Sequence, residues 1–411
     1  MKTQMPTRTD ASGRGVAEGW AVSYPSLMYR YNEDEIQAVV RVMRDGASMS
    51  QGEYLEQFEA DFRRFTGASH AFAVSSGTSA LQLAGTLCGV RPGDEIIIPA
   101  YTFCATAIPF GPTGAKIVWA DIDPKTWVAS PEDIARKITP RTRAIVAVHL
   151  LGMPVDMDPI LELASRHGIA VIEDCAQAPG ASYKGRRVGS IGDYGCFSFN
   201  GAKNLTTLGE GGMLTVKNEK KAALVAGLRH NGIRAFSGER AYYWVPAMSN
   251  VDTDIEGVWP TKLCLGEAQC ALGSALLNRL DCVNEGLRRQ REYLRGKLSA
   301  CGEISFQYEP SGHHAIFHCC VACFEGGELG KTREDFMSLM TKKHGIRLIV
   351  QYYPLYRYPL FKKMGFGEAD CPNLETFWSN SFSYPWCLDI GEEKLDYMAD
   401  RTYQSIIELK G

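Results

Sequence analysis

IAVIEDCAQAPGASYKGRRVGSIGDYGCFSFNGAKNLTTLGEGGMLTV, residues 169–216, decides how this chain is read. Its three short runs, IAVIE, YGCFSF and GGMLTV, are mostly β-branched or aromatic on both faces, as strands covered by helices on either side must be. Upstream the same kind of run recurs in HAFAVSS, DEIIIPA, AKIVWADI and RAIVAVHLLG, separated by helical patterns such as SALQLAGTLCG and MDPILELASRHG. Further out, Ile36, Val39, Val40 and Met43 fall at i, i+3, i+4 and i+7, and Leu55, Phe58, Phe62 and Phe65 form a second stripe, so two amphipathic helices open the fold. This alternation predicts a large α/β domain over residues 23–260. The polar, Gly-interrupted residues 1–22 read as a mobile N-terminal arm. From Leu265 the pattern changes to long helices, then a strand HHAIFHCCVACF, a helix TREDFMSLMTKKHG, a strand IRLIV and a helix EEKLDYMADRTYQSIIEL, which predicts a smaller α+β domain over 261–411. Between the two, Gly232 to Pro260 shows no clear period, and a loop of that length is usually functional or packed on a neighbour.

Composition narrows the function. Among 411 residues, 44 Lys+Arg stand against 47 Asp+Glu for a formal charge of −3, so no global field is available to hold a polyanion, and nucleic acid is not expected as a partner. No apolar run approaches the ~18–20 residues that span a bilayer, and the first residues carry no apolar h-region, so no membrane association and a cytoplasmic location are expected. The 13 cysteines are scattered, mostly in apolar runs, where a reduced thiol behaves as a small hydrophobe; no disulfide framework is expected.

Within the opening stretch, Asp174 ends the run AVIE. Ligands of an open α/β sheet lie beyond the carboxyl ends of its strands, so this carboxylate either faces a site or caps the following helix. Twenty-nine positions on, Lys203 sits between YGCFSF and the glycines Gly209, Gly211 and Gly212. It is either a solvated loop lysine or a desolvated amine able to form a Schiff base. In AFAVSSGTSALQLAG a strand runs into Ser76-Gly77-Thr78-Ser79 and then a helix, where small residues let backbone N–H groups close on an anion. Each signal is weak alone. Together, a Schiff-base lysine, a carboxylate to keep a pyridine nitrogen protonated and a phosphate cup are the parts that a pyridoxal 5'-phosphate enzyme requires.

With these residues in place the sequence resembles the DegT/DnrJ family of fold type I sugar aminotransferases from about Glu35 to the C-terminus. The likeness is carried, in order, by FEADF, SSGTSAL, GDEIIIPAYTFCATA, VHLLGMPVDMD, VIEDCAQAPGASYKGRRVGSIGDYGCFSF and SFNGAKNLTTLGEGG. The resemblance implies a large mixed-sheet cofactor domain and a smaller α+β C-terminal domain. It implies that Lys203 forms the internal aldimine and that Asp174 pairs with the pyridinium nitrogen. By the same resemblance Gln177 bonds the phenolic oxygen, Phe103 stacks on the ring, and Gly77, Thr78, the Ser79 backbone N–H and Ser198 hold the phosphate. Lysine at 203 sets the chain apart from the related dehydratases, in which histidine replaces it. In the family one subunit completes the site of the other across a two-fold interface, which implies a homodimer. Where the family carries an Asn that reaches the partner's phosphate, this chain has Lys262, read either as a phosphate ligand or as a surface lysine; the usual Arg soon after falls on Cys264.

The reaction expected is transfer of an amino group from glutamate or glutamine, through pyridoxamine phosphate, to a keto sugar, most simply a nucleotide-linked one. A cyclitol or other non-nucleotide ketone is the alternative acceptor, and a pyridoxal-phosphate-binding regulatory protein without turnover is the alternative of another class. Cys320-Val-Ala-Cys323 with His313, His314 and His318 has a zinc spacing, but in a strand residues 320 and 323 point to opposite faces, so no metal site is expected. The aromatic run Tyr352, Tyr353, Tyr356 and Tyr358 reads equally as a stacking platform for a base or sugar and as packing.

Overall fold

The computed structural model describes residues 19–25, 28–233, 251 and 254–411, together with the backbone of 8–9 and 15–16, which pair antiparallel. Most of the expected arm and most of the 232–260 stretch lie outside the described residues.

All seven runs predicted before residue 260 become strands of one sheet: β1 (His70–Val74), β2 (Glu95–Pro99), β3 (Lys116–Ala120), β4 (Thr142–Val148), β5 (Ala170–Asp174), β6 (Tyr194–Ser198) and β7 (Gly212–Val216). Their order is β1-β7-β6-β5-β4-β2-β3, parallel except for β7, which runs antiparallel to both neighbours. Every residue of β2 and of β7 is buried, which is why these runs lack a polar face. Asp174, the last residue of β5, pairs with Val148 on one side and Cys196 on the other, so the carboxyl edge at the middle of the sheet is where it projects.

Both predicted helices form, α1 (Glu33–Asp45) and α2 (Glu53–Thr66), but the apolar stripe read for α1 is not its buried face: Ile36 and Met43 are exposed, and Glu35, Ala38 and Val42 are buried. Leu55, Phe58 and Phe62 bury the inner face of α2, and Phe62 meets Phe197 of β6 edge-on at 4.8 Å. Helix α3 (Gly77–Leu87) follows β1, and α4 (Pro131–Lys137), α5 (Met157–His167) and α6 (Glu219–Leu228) complete the layers. Helix α7 (Glu267–Leu277) packs on α1 and α2; its Gly273 lies so close to Phe58 that a Cβ there would stand 2.5 Å from the ring. Helix α7 therefore packs with the opening helices of the chain although it lies beyond residue 260.

Helix α8 (Leu280–Lys297) leads into a second, antiparallel sheet of β8 (Ile304–Phe306), β9 (Cys320–Phe324) and β10 (Ser381–Tyr384), order β8-β9-β10. Helices α9 (Arg333–Lys342) and α12 (Glu392–Lys410) cover it, with Phe324 and Phe336 stacked at 5.0 Å; α10 (Pro359–Lys363) and α11 (Pro372–Asn380) are short. Two predicted strands are corrected. HHAIFHCCVACF is not one strand: His313–His314 pair with Ser182–Tyr183, and only Cys320–Phe324 join the second sheet. Phe317 between them takes a left-handed φ of 47°, and Ile316 and His318 give their N–H groups to the Gly152 and Leu151 carbonyls instead of a ladder. IRLIV makes isolated bridges rather than a strand, Ile346 with Val22 and Ile349 with Ser383.

The cysteines are all free thiols. Among the described residues no helix is long and apolar enough to cross a membrane.

Candidate active site

A cavity of about 790 Å³ opens at the carboxyl edge of β1, β5 and β6 and is closed from the other side by residues 318 and 349–378. Asp174 reaches its floor. The carboxylate is buried; Oδ2 accepts the Thr106 hydroxyl at 2.7 Å and Oδ1 accepts the Ala176 N–H at 3.1 Å. Thr106 in turn lies 2.8 Å from the Thr102 hydroxyl. Since Thr106 gives its proton to Asp174, Thr102 must be the donor in that second bond, and the two threonines form a chain that ends on the carboxylate. Burial still raises the Asp174 carboxyl above the usual range, with Thr106, Ala176 and the charge of Lys203 holding it back.

Lys203 stands on a turn that the chain closes tightly: Gly201 N–H bonds the Gly209 carbonyl at 2.9 Å, Lys203 N–H the Asn200 carbonyl at 2.8 Å and Thr207 N–H the Phe199 carbonyl at 3.1 Å. Gly209 has φ 103°, a conformation that favours glycine, so the glycine cluster read from the sequence shapes the turn that presents the lysine.

The cup lies at the N-terminus of α3. A Cβ on Gly77 would stand 2.9 Å from the Ser198 Cβ, and one on Gly212 would stand 2.4 Å from the Ser76 carbonyl carbon. Only hydrogen fits at both places, so the turn Ser76-Gly77-Thr78 is held close against β6 and β7, where the positive end of the helix meets the cavity. Ser79 does not line the cavity. Its N–H, expected at a phosphate, donates to Ser76 Oγ at 3.1 Å, and its hydroxyl is buried between Ser75 and Ser76. Ser76 caps the helix and thereby takes the donor that the sequence reading had reserved for the ligand.

Gly77, Thr78, Phe103, Asp174, Gln177, Ser198 and Lys203 all line this one cavity. Gln177 is anchored at both ends of its amide: Oε1 accepts the Leu151 N–H at 2.8 Å and Nε2 donates to the Tyr352 hydroxyl at 2.9 Å. Phe103 is half exposed, its ring 6.1 Å from Tyr352. Lys262 does not line the cavity; it is exposed, bridged to His230, with the carbonyl of the next residue, Leu263, accepting the Ser75 N–H at 2.8 Å.

Sequence reasoning did not single out Thr102, Thr106, Asn200, Glu210 or Trp378, which share the lining with His318, weighed there only as a metal ligand. Of the aromatic run, Tyr352, Tyr353 and Tyr358 line the cavity, while Tyr356 is buried with its hydroxyl on Glu375 and serves packing. The zinc spacing dissolves, because Cys320 and Cys323 lie in β9 and His313–His314 in a separate ribbon. His149, Glu173 and Cys175 cluster within reach of one ion, but Glu173 accepts the N–H groups of Gly189, Ile191 and Gly192, and His149 bonds Glu173 through Nε2 and the Val155 N–H through Nδ1. Those ligand atoms are already engaged in holding the loop after β5.

A sheet with this strand order, carrying a lysine turn after β6 and a buried carboxylate at the end of β5, is the large domain of a fold type I aminotransferase. The profile of the DegT/DnrJ/EryC1/StrS aminotransferase family matches residues 30–402, and the chain belongs to that family. It is 40% identical, over 90% of its length and 92% of the relative's, to a dTDP-3-amino-3,4,6-trideoxy-alpha-D-glucose transaminase of Streptomyces venezuelae. It is 39% identical to a GDP-perosamine synthase of Caulobacter vibrioides, over 80% of this chain and 84% of the relative. The crystal structure of S. venezuelae DesV in complex with a ketimine intermediate superposes with a TM-score of 0.78 at 30% identity, covering 90% of this chain and 93% of that one.

Proposed function

We propose that the chain uses pyridoxal 5'-phosphate to move an amino group from glutamate or glutamine to a nucleotide-linked keto sugar. The residues suit the cofactor. Asp174 is a buried carboxylate that burial pushes toward the neutral form, so a cation brought against it would gain strongly. The Ser76-Gly77-Thr78 turn at a helix N-terminus suits a phosphate, and Ser198 stands beside it. When bound, the cofactor supplies an electron sink for the pair released at the donor's Cα.

The rest is the work of this chain. Asp174 holds a proton on the ring nitrogen, and the threonine pair behind it keeps the carboxylate ionised enough to do so. Gln177, fixed by Leu151 and Tyr352, would bond the cofactor's phenolic oxygen. Lys203 Nζ would take the proton from the donor's Cα and return it, as general base and then acid. Phe103, Tyr352, Tyr353, Tyr358 and Trp378 turn the outer cavity into an aromatic wall, suited to the C–H faces of a sugar ring. The names of the two relatives support a nucleotide-linked acceptor.

A homodimer is part of the proposal, with Lys262, exposed at the outer edge of the cup, reaching the partner's cofactor phosphate. Free thiols suit a reducing compartment, and we place the enzyme in the cytoplasm. The observation that carries the reading is the placement of Lys203 and Asp174 in one cavity under the aromatic wall. Its test is to load purified protein with pyridoxal phosphate, add glutamate or glutamine, then add dTDP-, GDP- and UDP-linked keto sugars in turn. The visible band should fall with the donor and return with one acceptor class; a band that no amino acid alters refutes the proposal.

A further inference from the structure

Between β4 and α5 the chain turns through His149–Val155, and one residue of that turn is strained. Leu151 has φ 61° and ψ 11°, the left-handed region that a bulky side chain enters at a cost, and its side chain is buried. Strain of this kind persists where the surroundings over-determine it. Here they do so from both sides. On the inner side His149 gives its N–H to the Asp174 carbonyl at 3.0 Å, accepts the Gly152 N–H at its own carbonyl at 3.4 Å, and accepts the Val155 N–H at ring Nδ1 at 3.1 Å. On the outer side the Leu151 and Gly152 carbonyls accept the His318 and Ile316 N–H groups, and a Cβ on Gly152 would stand 2.7 Å from the Phe317 nitrogen.

The His149 ring is wholly buried, and its tautomer follows from its partners. Nδ1 faces a backbone N–H and can only accept, so Nε2 holds the proton and donates it to Glu173 Oε2 at 3.0 Å. One arm of the ring is on the turn, the other on the carboxylate that holds the loop before β6.

What the turn delivers is the Leu151 N–H, 2.8 Å from Gln177 Oε1. An N–H can only donate, so it decides which end of the Gln177 amide is which: turned over, the amide would set its own N–H groups against it. With Oε1 held, Nε2 has one hydrogen for the Tyr352 hydroxyl at 2.9 Å and a second for the cavity that Gln177 lines. An acceptor in that place would repel a phenolic oxygen, whereas a donor binds it.

We propose that His149 is a positioning residue for the reaction: through Nδ1 it keeps the 149–155 turn closed, and the Leu151 N–H of that turn makes Gln177 a hydrogen-bond donor toward the cofactor's phenolic oxygen. The inference rests on the pyridoxal phosphate reading for the identity of that oxygen, and on the hydrogen bonds alone for the coupling of His149 to Gln177.

Two amides separate the two arms of the ring, because an Asn reaches where Nδ1 stands and a Gln where Nε2 stands. His149→Gln keeps a donor for Glu173 and drops the acceptor for Val155; His149→Asn does the reverse. The readouts are amide exchange at Leu151 in the cofactor-free full chain, by mass spectrometry at residue resolution, and the pH midpoint of the visible band in protein loaded with pyridoxal phosphate. A donor to the phenolic oxygen favours its anionic form, so weakening the donor moves the midpoint up. His149→Gln should raise Leu151 exchange at least ~10-fold and move the midpoint up by about 0.5–1 unit. His149→Asn should lower the melting temperature yet leave exchange within about twofold, and the midpoint within about 0.2 unit, of wild type. Adding His149→Gln to Gln177→Leu should shift the midpoint no further, since a residue that acts through Gln177 then has nothing to act on. An unmoved midpoint in folded His149→Gln, an equal shift in the Gln177→Leu background, or a shift in His149→Asn as large as in His149→Gln overturns the proposal. Gln177→Leu alone gives a check that needs no His149 variant: its Leu151 amide should exchange at least ~10-fold faster, and exchange at the wild-type rate overturns the proposal as well. Absence of a visible band in loaded wild-type protein would instead refute the pyridoxal phosphate reading, and would leave the exchange result standing.

Discussion

Replacing Thr106 by Val removes one hydroxyl and tests how the site keeps its carboxylate charged. In the structure that hydroxyl bonds Asp174 Oδ2 at 2.7 Å and ends a chain that begins at Thr102, with both threonines buried. A hydrogen bond to a charged partner contributes about 1.5–3 kcal/mol, and each pKa unit corresponds to about 1.4 kcal/mol, so its loss should raise the Asp174 carboxyl by about 1–2 units. The sign is set by which form the bond favours. Thr106 stabilises the ionised carboxylate and opposes the upward push of burial; without it the carboxylate is a stronger base and draws back the proton it must leave on the ring nitrogen. The donor half-reaction should slow by about 10- to 100-fold, and the acid limb of its pH profile should move up by about 1–2 units. Single-turnover loss of the visible band, followed from pH 5 to 9 in holoenzyme with saturating donor, reads both. Thr106→Ser keeps the hydroxyl and should keep the profile. A folded, cofactor-loaded Thr106→Val protein whose acid limb does not move would refute the reasoning.

Lys203→Ala should lower turnover at least ~10³-fold, about 4 kcal/mol of barrier, with the fold intact by circular dichroism; residual turnover near the wild-type rate would assign the proton transfer to another group. Glu173→Gln should destabilise the protein by about 2–6 kcal/mol at pH 7, because an amide nitrogen in place of either oxygen strands two of the four donors held there, at roughly 1–3 kcal/mol each. Glu173 is held below its ordinary value by His149 and the loop N–H groups despite the opposing effect of burial, so its contribution is present above about pH 4.3 and is lost as pH falls through the folded value; thermal melts against pH should show the two proteins converging on acidification. Lys262→Ala should weaken cofactor retention by about 1.5–3 kcal/mol in a dimer whose assembly is unchanged by light scattering, and equal retention would return Lys262 to the role of a surface lysine.

The seven strands of the main sheet were legible because most of their residues are buried, β2 and β7 throughout and the edge strands β1 and β3 on one face, and a run such as EIIIP has no other stable place in a soluble chain. The lysine and the aspartate were legible for a different reason: each follows a strand end, where the local pattern points to the edge of the sheet. What escaped was set by distance along the chain. Thr106 meets Asp174 across 68 positions and Tyr352 meets Gln177 across 175, and no local period records such pairs. The N-cap bond from the Ser79 N–H to Ser76 and the broken strand at Phe317 share one feature, a backbone group captured by a neighbour: Ser76 in one case, the Leu151–Gly152 turn in the other.

The lining of the cavity divides along the sequence in a way that bears on how such an enzyme changes substrate. Residues 76–210 supply the cup, Asp174, its threonine chain, Gln177, Phe103 and Lys203, whereas 318 and 349–378 supply His318, Tyr352, Tyr353, Tyr358 and Trp378. The first group sits at the carboxyl edge of a sheet whose inner strands are largely buried, with glycines at 77 and 212 that leave no room for a side chain. A substitution there disturbs packing and chemistry together. Apart from Trp378, on the short helix α11, the second group comes from turns and isolated bridges: Ile346 and Ile349 pair singly, and Leu355 donates its N–H to the Ala100 carbonyl just after β2. Those segments can change side chains without changing a ladder. Selection for a new acceptor should therefore act on residues 349–378 while the 76–210 edge stays fixed, because only the former can be altered without moving the carboxylate and the lysine relative to each other.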